Sequence, residues 1–280
     1  MATKSWWRRL LDRPWVQGNP LLHVAVMAGR QRAFDWLVRV GADPHVRDAR
    51  GLSIVHTAAL HPRLADAQPF LQRALDAGLP VDDRDADGYT ALHFAVFHDR
   101  SDVVAWLLDH GASLRARTTV GTTALRHAIR WRRSNAARSL LEAGAYVDER
   151  DFDGETPLLE ATVNPALAGL LLEFGADVAA INHHGDNLLH LAGSRCNPEM
   201  VRWALLKGVP SHGMNATGKT PLQTVQAQIS ALYGGFDGLL AAFAEPGEDE
   251  KSMTAGEAAG KWSLVLKLLG HQQFAHLAEG

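Results

Sequence analysis

Glycines recur along this chain with a fixed step. One series runs Gly18, Gly51, Gly88, Gly121, Gly154, Gly185 and Gly218, with spacings of 33, 37, 33, 33, 31 and 33 residues. A second runs Gly41, Gly78, Gly111, Gly144, Gly175 and Gly208, with spacings of 37, 33, 33, 31 and 33. Two markers stepping together identify a structural repeat. Units of this length cannot bury an apolar face alone, so they must stack on their neighbours.

Each unit carries the same physical grammar, as in GYTALHFAVFHDRSDVVAWLLDHGASLRARTTV, residues 88–120. Gly88 ends a turn, and Thr90 is placed to cap the helix that follows. Leu92, Ala95 and Val96 give that helix an apolar stripe. The polar break HDRSD separates it from a second helix carrying Val103, Val104, Trp106, Leu107 and Leu108. Gly111 ends that helix as a residue able to take positive φ. The extended segment ASLRARTTV leads to the next glycine.

The stretches TALHFAV, TPLLEAT, NPLLHVA and KTPLQTV resemble the T-P-L-H-x-A signature of ankyrin repeats. GADPHVRDARG, GAYVDERDFDG and GADVAAINHHG resemble that family's hairpin fingers. The resemblance covers roughly residues 18–245. It implies an all-α fold, a helical solenoid of paired helices with short β-hairpin fingers. The units are expected at 18–50, 51–87, 88–120, 121–153, 154–184, 185–217 and 218–245. Residues 1–17, with SWWRRLLDR, are expected to form an N-terminal capping helix. Residues 246–280 are expected to hold a polar loop and a degenerate capping repeat, because end repeats must cover an exposed apolar face.

Three units depart from the pattern. The second has four extra residues, within HPRLADAQPF, and Pro69 is expected to open its second helix. The fifth is two residues short, at TVNPALAGL. The seventh drifts after GKTPLQTVQAQ and offers FDGLLAAFAEPG as its second helix.

Composition excludes several classes. A net charge of −3 with 21% charged residues does not suit a general nucleic-acid binder. No apolar run is long enough to span a membrane. The N-terminus lacks the apolar core of a secretory signal, which points to the cytoplasm. The single cysteine, Cys196, cannot form an intrachain disulfide. Lysine occurs only at Lys4, Lys207, Lys219, Lys251, Lys261 and Lys267, and this skew toward arginine points to a GC-rich, bacterial genome.

Fourteen histidines invite a metal or catalytic reading. His23, His56, His93 and His190 occupy the fourth position of the T-P-L-H motif, where the ring can bond backbone of the neighbouring finger. His183 and His184 sit at a finger tip with no spaced ligand partners, so a surface contact is favoured over a metal site. Cys196 has no base and orienting group in sequence to activate it. No nucleophile elbow, phosphate loop or dinucleotide fingerprint is present. The chain is expected to be non-catalytic, with no cofactor and no metal.

The resemblance also implies where a ligand would meet the stack. The fifth, eighth and ninth positions of the motif are expected to face outward on each first helix. In the middle units these are Phe94, Phe97 and His98, then His127, Arg130 and Trp131; Arg195 holds such a position in the sixth. Tyr89 and Phe152 are finger residues flanking the same region. Aromatics and arginine dominate binding hot spots, although such aromatics also pack against neighbouring repeats. Arg47, Arg84, Arg117 and Arg150 form one column along the fingers. They form either a solvated ladder or an edge that steers an acidic or mixed-charge partner.

These features point to a monomer that holds one folded protein partner, with no nucleic acid and no membrane. Bacterial relatives of this type include toxin-neutralising immunity proteins, host-directed effectors and adaptors. An enzyme accessory subunit is the alternative from another class. The stretch after Glu245 is too short for a catalytic domain of its own.

Overall fold

The computed structural model describes residues 20–233, 261 and 264–270. Two compact units divide the chain, residues 1–146 and 147–280. The expected N-terminal capping helix lies outside the described residues, as do the second helix expected in the seventh repeat and most of the C-terminal cap.

Among its described residues the first unit holds four helix pairs: α1 (Leu21–Met27) with α2 (Gln31–Arg39), α3 (Ile54–Ala59) with α4 (Leu64–Asp76), α5 (Ala91–Phe97) with α6 (Ser101–Asp109), and α7 (Ala124–Arg130) with α8 (Ser134–Glu142). Each first helix packs on its own partner, and the four first helices pack on one another in sequence. The expected stripe of Leu92, Ala95 and Val96 is wholly buried, as are Val103, Val104 and Leu107. Small residues such as Ala58, Ala95 and Ala128 let the short first helices approach closely. Leucines such as Leu71, Leu107 and Leu140 fill the second-helix layer, each contributing about 1.5–3 kcal/mol on burial.

The four extra residues of the second repeat are absorbed into a helix. α4 has 13 residues, whereas α2, α6 and α8 have 9 each. Four residues are close to one helical turn, so Ala67, Phe70, Leu71 and Ala74 stay on one buried face. Pro69 therefore does not open this helix. It lies inside α4, where its backbone carbonyl accepts a hydrogen bond of 2.9 Å from the Arg73 side chain.

The second unit contains α9 (Pro157–Glu160), α10 (Pro165–Glu173), α11 (Leu188–Ser194), α12 (Pro198–Leu206) and α13 (Pro221–Tyr233). The two-residue deletion falls on α9, which has 4 residues where α11 has 7. Asn164 compensates by capping α10, accepting from the N–H groups of Ala166 and Leu167, with Pro165 in the first turn.

The fingers are hairpins in path rather than β-ladders. Among the described residues the one bridge outside helices joins Arg117 to Thr123. A side chain at the tip closes most of these turns. Asp85 Oδ1 accepts from the N–H groups of Asp87 and Tyr89, and Asp151 Oδ1 does the same for Asp153 and Glu155. Asn182 and Asn215 fill the same role further on.

The motif histidines tie helix to finger. His56 Nδ1 accepts from the Ser53 N–H, and its Nε2 lies 3.0 Å from the Tyr89 carbonyl. His190 repeats this between the Asn187 N–H and the Lys219 carbonyl. Both networks require the proton on Nε2. Pro20 has no N–H to offer His23, whose Nδ1 meets the Thr57 hydroxyl instead at 2.8 Å.

Candidate functional site

In the first unit an aromatic cluster grows from α5, α7 and the finger before α5. Phe94 and Phe97 lie three residues apart on α5, and Trp131 follows α7. Tyr89 reaches in from the finger. The Phe97 and Trp131 rings meet edge to face, with centroids 4.7 Å apart at 85°. Tyr89 lies 5.8 Å from Phe94 and 5.3 Å from His127. The His127 ring stacks under Trp131. One continuous aromatic face results, held by offset and edge contacts that such rings prefer.

An open cavity of about 630 Å³ lies against this face. Tyr89, His93, Phe94, Phe97, His98 and Trp131 form its aromatic side. Leu52 and Leu60 supply an aliphatic wall, and Arg50, Asp85 and Asp87 stand on the finger side. Of the residues that sequence reasoning put forward, Tyr89, Phe94, Phe97, His98 and Trp131 come together here. Phe97 is 42% exposed, while Tyr89, Phe94 and Trp131 are half-buried.

His127 corrects the expectation of an outward-facing ring. It is only 3% exposed, because Trp131 and Tyr89 cover it. Both of its ring nitrogens are buried without a hydrogen-bond partner. Burial, then the neighbouring His93, Arg130 and Arg126, push its pKa down to about 3. His93 accepts from the Thr90 N–H at Nδ1, but its Nε2 faces the Thr122 carbonyl without closing a hydrogen bond. Burial holds its pKa at about 4. Burial, with Arg100 and Arg133, also lowers the pKa of His98. The floor of the cluster is thus neutral at ordinary pH.

The remaining candidates lie elsewhere. Arg130 is exposed at the end of α7 and does not line the cavity. Phe152, Arg150 and Arg195 belong to the second unit; Phe152 is 82% exposed at a finger tip, and Arg195 bonds the Thr162 hydroxyl. The arginine column reaches finger backbone, and Arg47 also pairs with the Asp83 carboxylate at 2.6 Å. Arg84 donates to the Arg117 carbonyl at 2.6 Å, and Arg117 to the Gly121 carbonyl at 2.8 Å. Arg150 joins the carbonyls of Gly154 and Ile181, at 3.0 and 2.6 Å. These residues clasp fingers to each other and to themselves, which the pattern of an arginine column does not reveal.

Sequence reasoning missed Arg50, Asp85 and Asp87 as members of the site. The finger tip bends back toward α5, so charged residues two and four positions before Tyr89 share a surface with ring residues that follow it. Cys196 sits between α11 and α12 with φ of 51°, and burial pushes its thiol up to about 12. No helix among the described residues is long and apolar enough to cross a membrane.

Comparison with known proteins supports the same architecture. Residues 22–118 and 66–151 match the family model of ankyrin repeats in three copies. The B-cell lymphoma 3 protein homolog of Mus musculus is 32% identical over 217 residues, which are 76% of this chain and 41% of that protein. The B-cell lymphoma 3 protein of Homo sapiens is 30% identical over the same extent. The chain thus spans about two fifths of the length of these curated relatives. Among solved structures, the ankyrin repeat domain of Bcl-3, a member of the IkappaB protein family, aligns with a TM-score of 0.64 and 30% identity, covering 75% of this chain and 95% of that one. The human ASB11 ankyrin repeat domain aligns with a TM-score of 0.62 at 23% identity, over 86% of this chain and 96% of that one, and shows the fold alone. With its register, its paired helices and its histidine-tied fingers, the chain belongs to the ankyrin repeat family.

Proposed function

We propose that this chain is a non-catalytic binding module that holds one folded protein partner. The observation that carries the reading is the face formed by Phe97 and Trp131 beside an open cavity of about 630 Å³. Partly exposed aromatics against a preformed concavity are the usual anchors of an interface. Tyr89, Phe94 and His98 extend this face, and Arg130 stands at its margin. Phe152, Arg150 and Arg195 offer separate contacts on the second unit. A protein-binding role also accords with an ankyrin repeat family membership.

A standard interface buries roughly 800 Å² per partner, which finger tips and first helices of several repeats can supply. The module acts as a monomer in the cytoplasm. Neutralising a toxin, as an immunity protein does, and serving as an effector or adaptor would use the same face. A toxin gene beside this one would select the first.

The test is the double substitution Phe97→Ala with Trp131→Ala. A partner is first recovered with the unmodified chain, and calorimetry then compares the two. The expected result is at least a tenfold loss of affinity with an unchanged circular dichroism spectrum. Equal affinity would remove this face from the interface.

A further inference from the structure

The cavity is not a uniformly apolar slot. Aromatic rings close one side: Tyr89, Phe94, Phe97 and Trp131. Leu52 and Leu60 form an aliphatic stretch on another. The finger contributes two carboxylates, Asp85 and Asp87. Asp85 commits Oδ1 to the finger turn. Asp87 is exposed, and its carbonyl accepts from the N–H and hydroxyl of Thr119 while its carboxylate makes no bond among the described residues. The one arginine in the lining, Arg50, sits 3.8 Å from Asp48.

Resting on the reading that this face docks a protein, we infer that the cavity receives a cationic side chain, lysine or arginine, from an exposed segment of that partner. An aliphatic stem would lie along the half-buried Leu60, which the buried Leu52 backs, while the charged head reaches the ring faces and the two carboxylates. Long cationic side chains bury their stems in this way. The negative face of an aromatic ring attracts a cation placed within about 6 Å. One such contact exists within the chain, where the Arg133 guanidinium lies 5.9 Å over the Phe97 ring, so the incoming head group is left the rings of Tyr89, Phe94 and Trp131. An acidic or purely apolar occupant would leave Asp87 facing like charge or an unmatched carboxylate. His93 in the cavity wall does not compete, because burial keeps it neutral.

The probes are capped pentapeptides, Gly-Gly-X-Gly-Gly, with X as lysine, trimethyl-lysine, arginine, norleucine or glutamate. Each is titrated into the intact chain at pH 7, and binding is read from amide and indole chemical shifts. Lysine and arginine peptides are expected to bind at least fivefold tighter than the norleucine peptide, which matches the lysine stem without its charge. The trimethyl-lysine peptide separates ring attraction from hydrogen bonding to the carboxylates. If Asp85 and Asp87 dominate, it binds more weakly than lysine; if the rings dominate, it binds as tightly or tighter. Either order supports a cation site.

The double variant Asp85→Asn with Asp87→Asn is expected to lose at least threefold for the cationic peptides and nothing for norleucine. Asparagine keeps the finger turn, because Asn182 and Asn215 accept the equivalent pair of N–H bonds in their own fingers. Trp131→Leu is expected to weaken cationic peptides more than norleucine. Norleucine binding as tightly as lysine, no response to the asparagine pair, or no binding of any peptide at millimolar concentration overturns the inference. Those outcomes leave the protein-docking reading to its own test, since no partner is present in this one. Conversely, cation-selective peptide binding with a partner indifferent to Trp131 and Phe97 would keep the cavity and remove the docking face.

Discussion

The indole of Trp131 lies on the imidazole of His127, with ring centroids 4.3 Å apart and planes 20° from parallel. The four-residue spacing places both rings on one side of the end of α7. This stacking makes Trp131 part surface and part lid: it presents an edge to Phe97 and seals a histidine that has no hydrogen-bond partner. Burial is the largest cause of the low His127 pKa. Trp131→Ala is therefore expected to raise that pKa toward its ordinary value of 6.5 by admitting water. Histidine proton shifts followed across pH check this, and a His127 resonance that titrates as before would mean the indole is not the cover.

Acid should weaken the first unit before it affects carboxylates. The folded state holds His93 at about 4 and His127 at about 3, while the unfolded chain titrates near 6.5. The unfolded state thus takes up protons first as pH falls. The stability contributed by keeping these rings neutral is complete above pH 6.5. It declines between about 6.5 and 4 for His93, and on toward 3 for His127. Each such group costs about 1.4 kcal/mol per pH unit inside its window. Urea midpoints at pH 7 and pH 5 are expected to differ accordingly. His93→Gln should flatten the dependence while keeping the cap, because Gln223 at the same motif position accepts from the Thr220 N–H at 2.9 Å.

Much of this was legible in sequence, and the exceptions have a common cause. The register identified repeats, caps and the histidine ties because each depends on spacing within a unit and one neighbour. His56 and His190 bond finger carbonyls as their motif position implies. The fifth motif position is half-exposed at Phe94 but covered at His127, since the cover is a ring four residues on that turns back over the helix. Pro69 marks a helix start by local rules, yet four inserted residues make a whole turn and carry it into the interior of α4. The acidic run VDDRDADG is plain in the sequence, but its place beside the rings is not, because the path of the finger, not the helix period, brings Asp85 and Asp87 there.

The arginine clasp predicts an effect on stability. Arg150 reaches two carbonyls, its own finger at Gly154 and the next at Ile181. Arg150→Ala releases both, and hydrogen bonds from a charged donor are worth about 1.5–3 kcal/mol each when well shielded. This group is exposed, so a total loss of about 1 kcal/mol is expected. Both bonds leave one nitrogen, Nη1, at the end of a rigid planar group, so Arg150→Lys, with a flexible ammonium that must be ordered to reach the same carbonyls, should restore only part of it. Chemical denaturation distinguishes the two, and full rescue by lysine would show that charge alone matters.

A pair of glycine substitutions separates backbone strain from finger stacking. Gly111 and Gly185 both have positive φ, at 86° and 73°. Asp99, Arg132 and Cys196 also adopt positive φ, at 54°, 56° and 51°, so this chain carries side chains in that region. Gly111→Ala places its new methyl group in open space and should cost only the backbone term, about 1–2 kcal/mol. Gly185→Ala meets the backbone of the next finger, with Ala216 N at 2.8 Å and Asn215 Cα at 3.0 Å. No rotamer change relieves that contact. The next finger must withdraw, and the 2.8 Å bond from the Ala216 N–H to the His184 carbonyl goes with it. A cost of about 3 kcal/mol or more is expected, from backbone strain plus the displaced contact. Hydrogen exchange at the Ala216 amide provides the local readout: it should accelerate in Gly185→Ala and stay protected in Gly111→Ala. Equal costs and equal protection would show that the fingers do not stack tightly enough to require glycine at their turns.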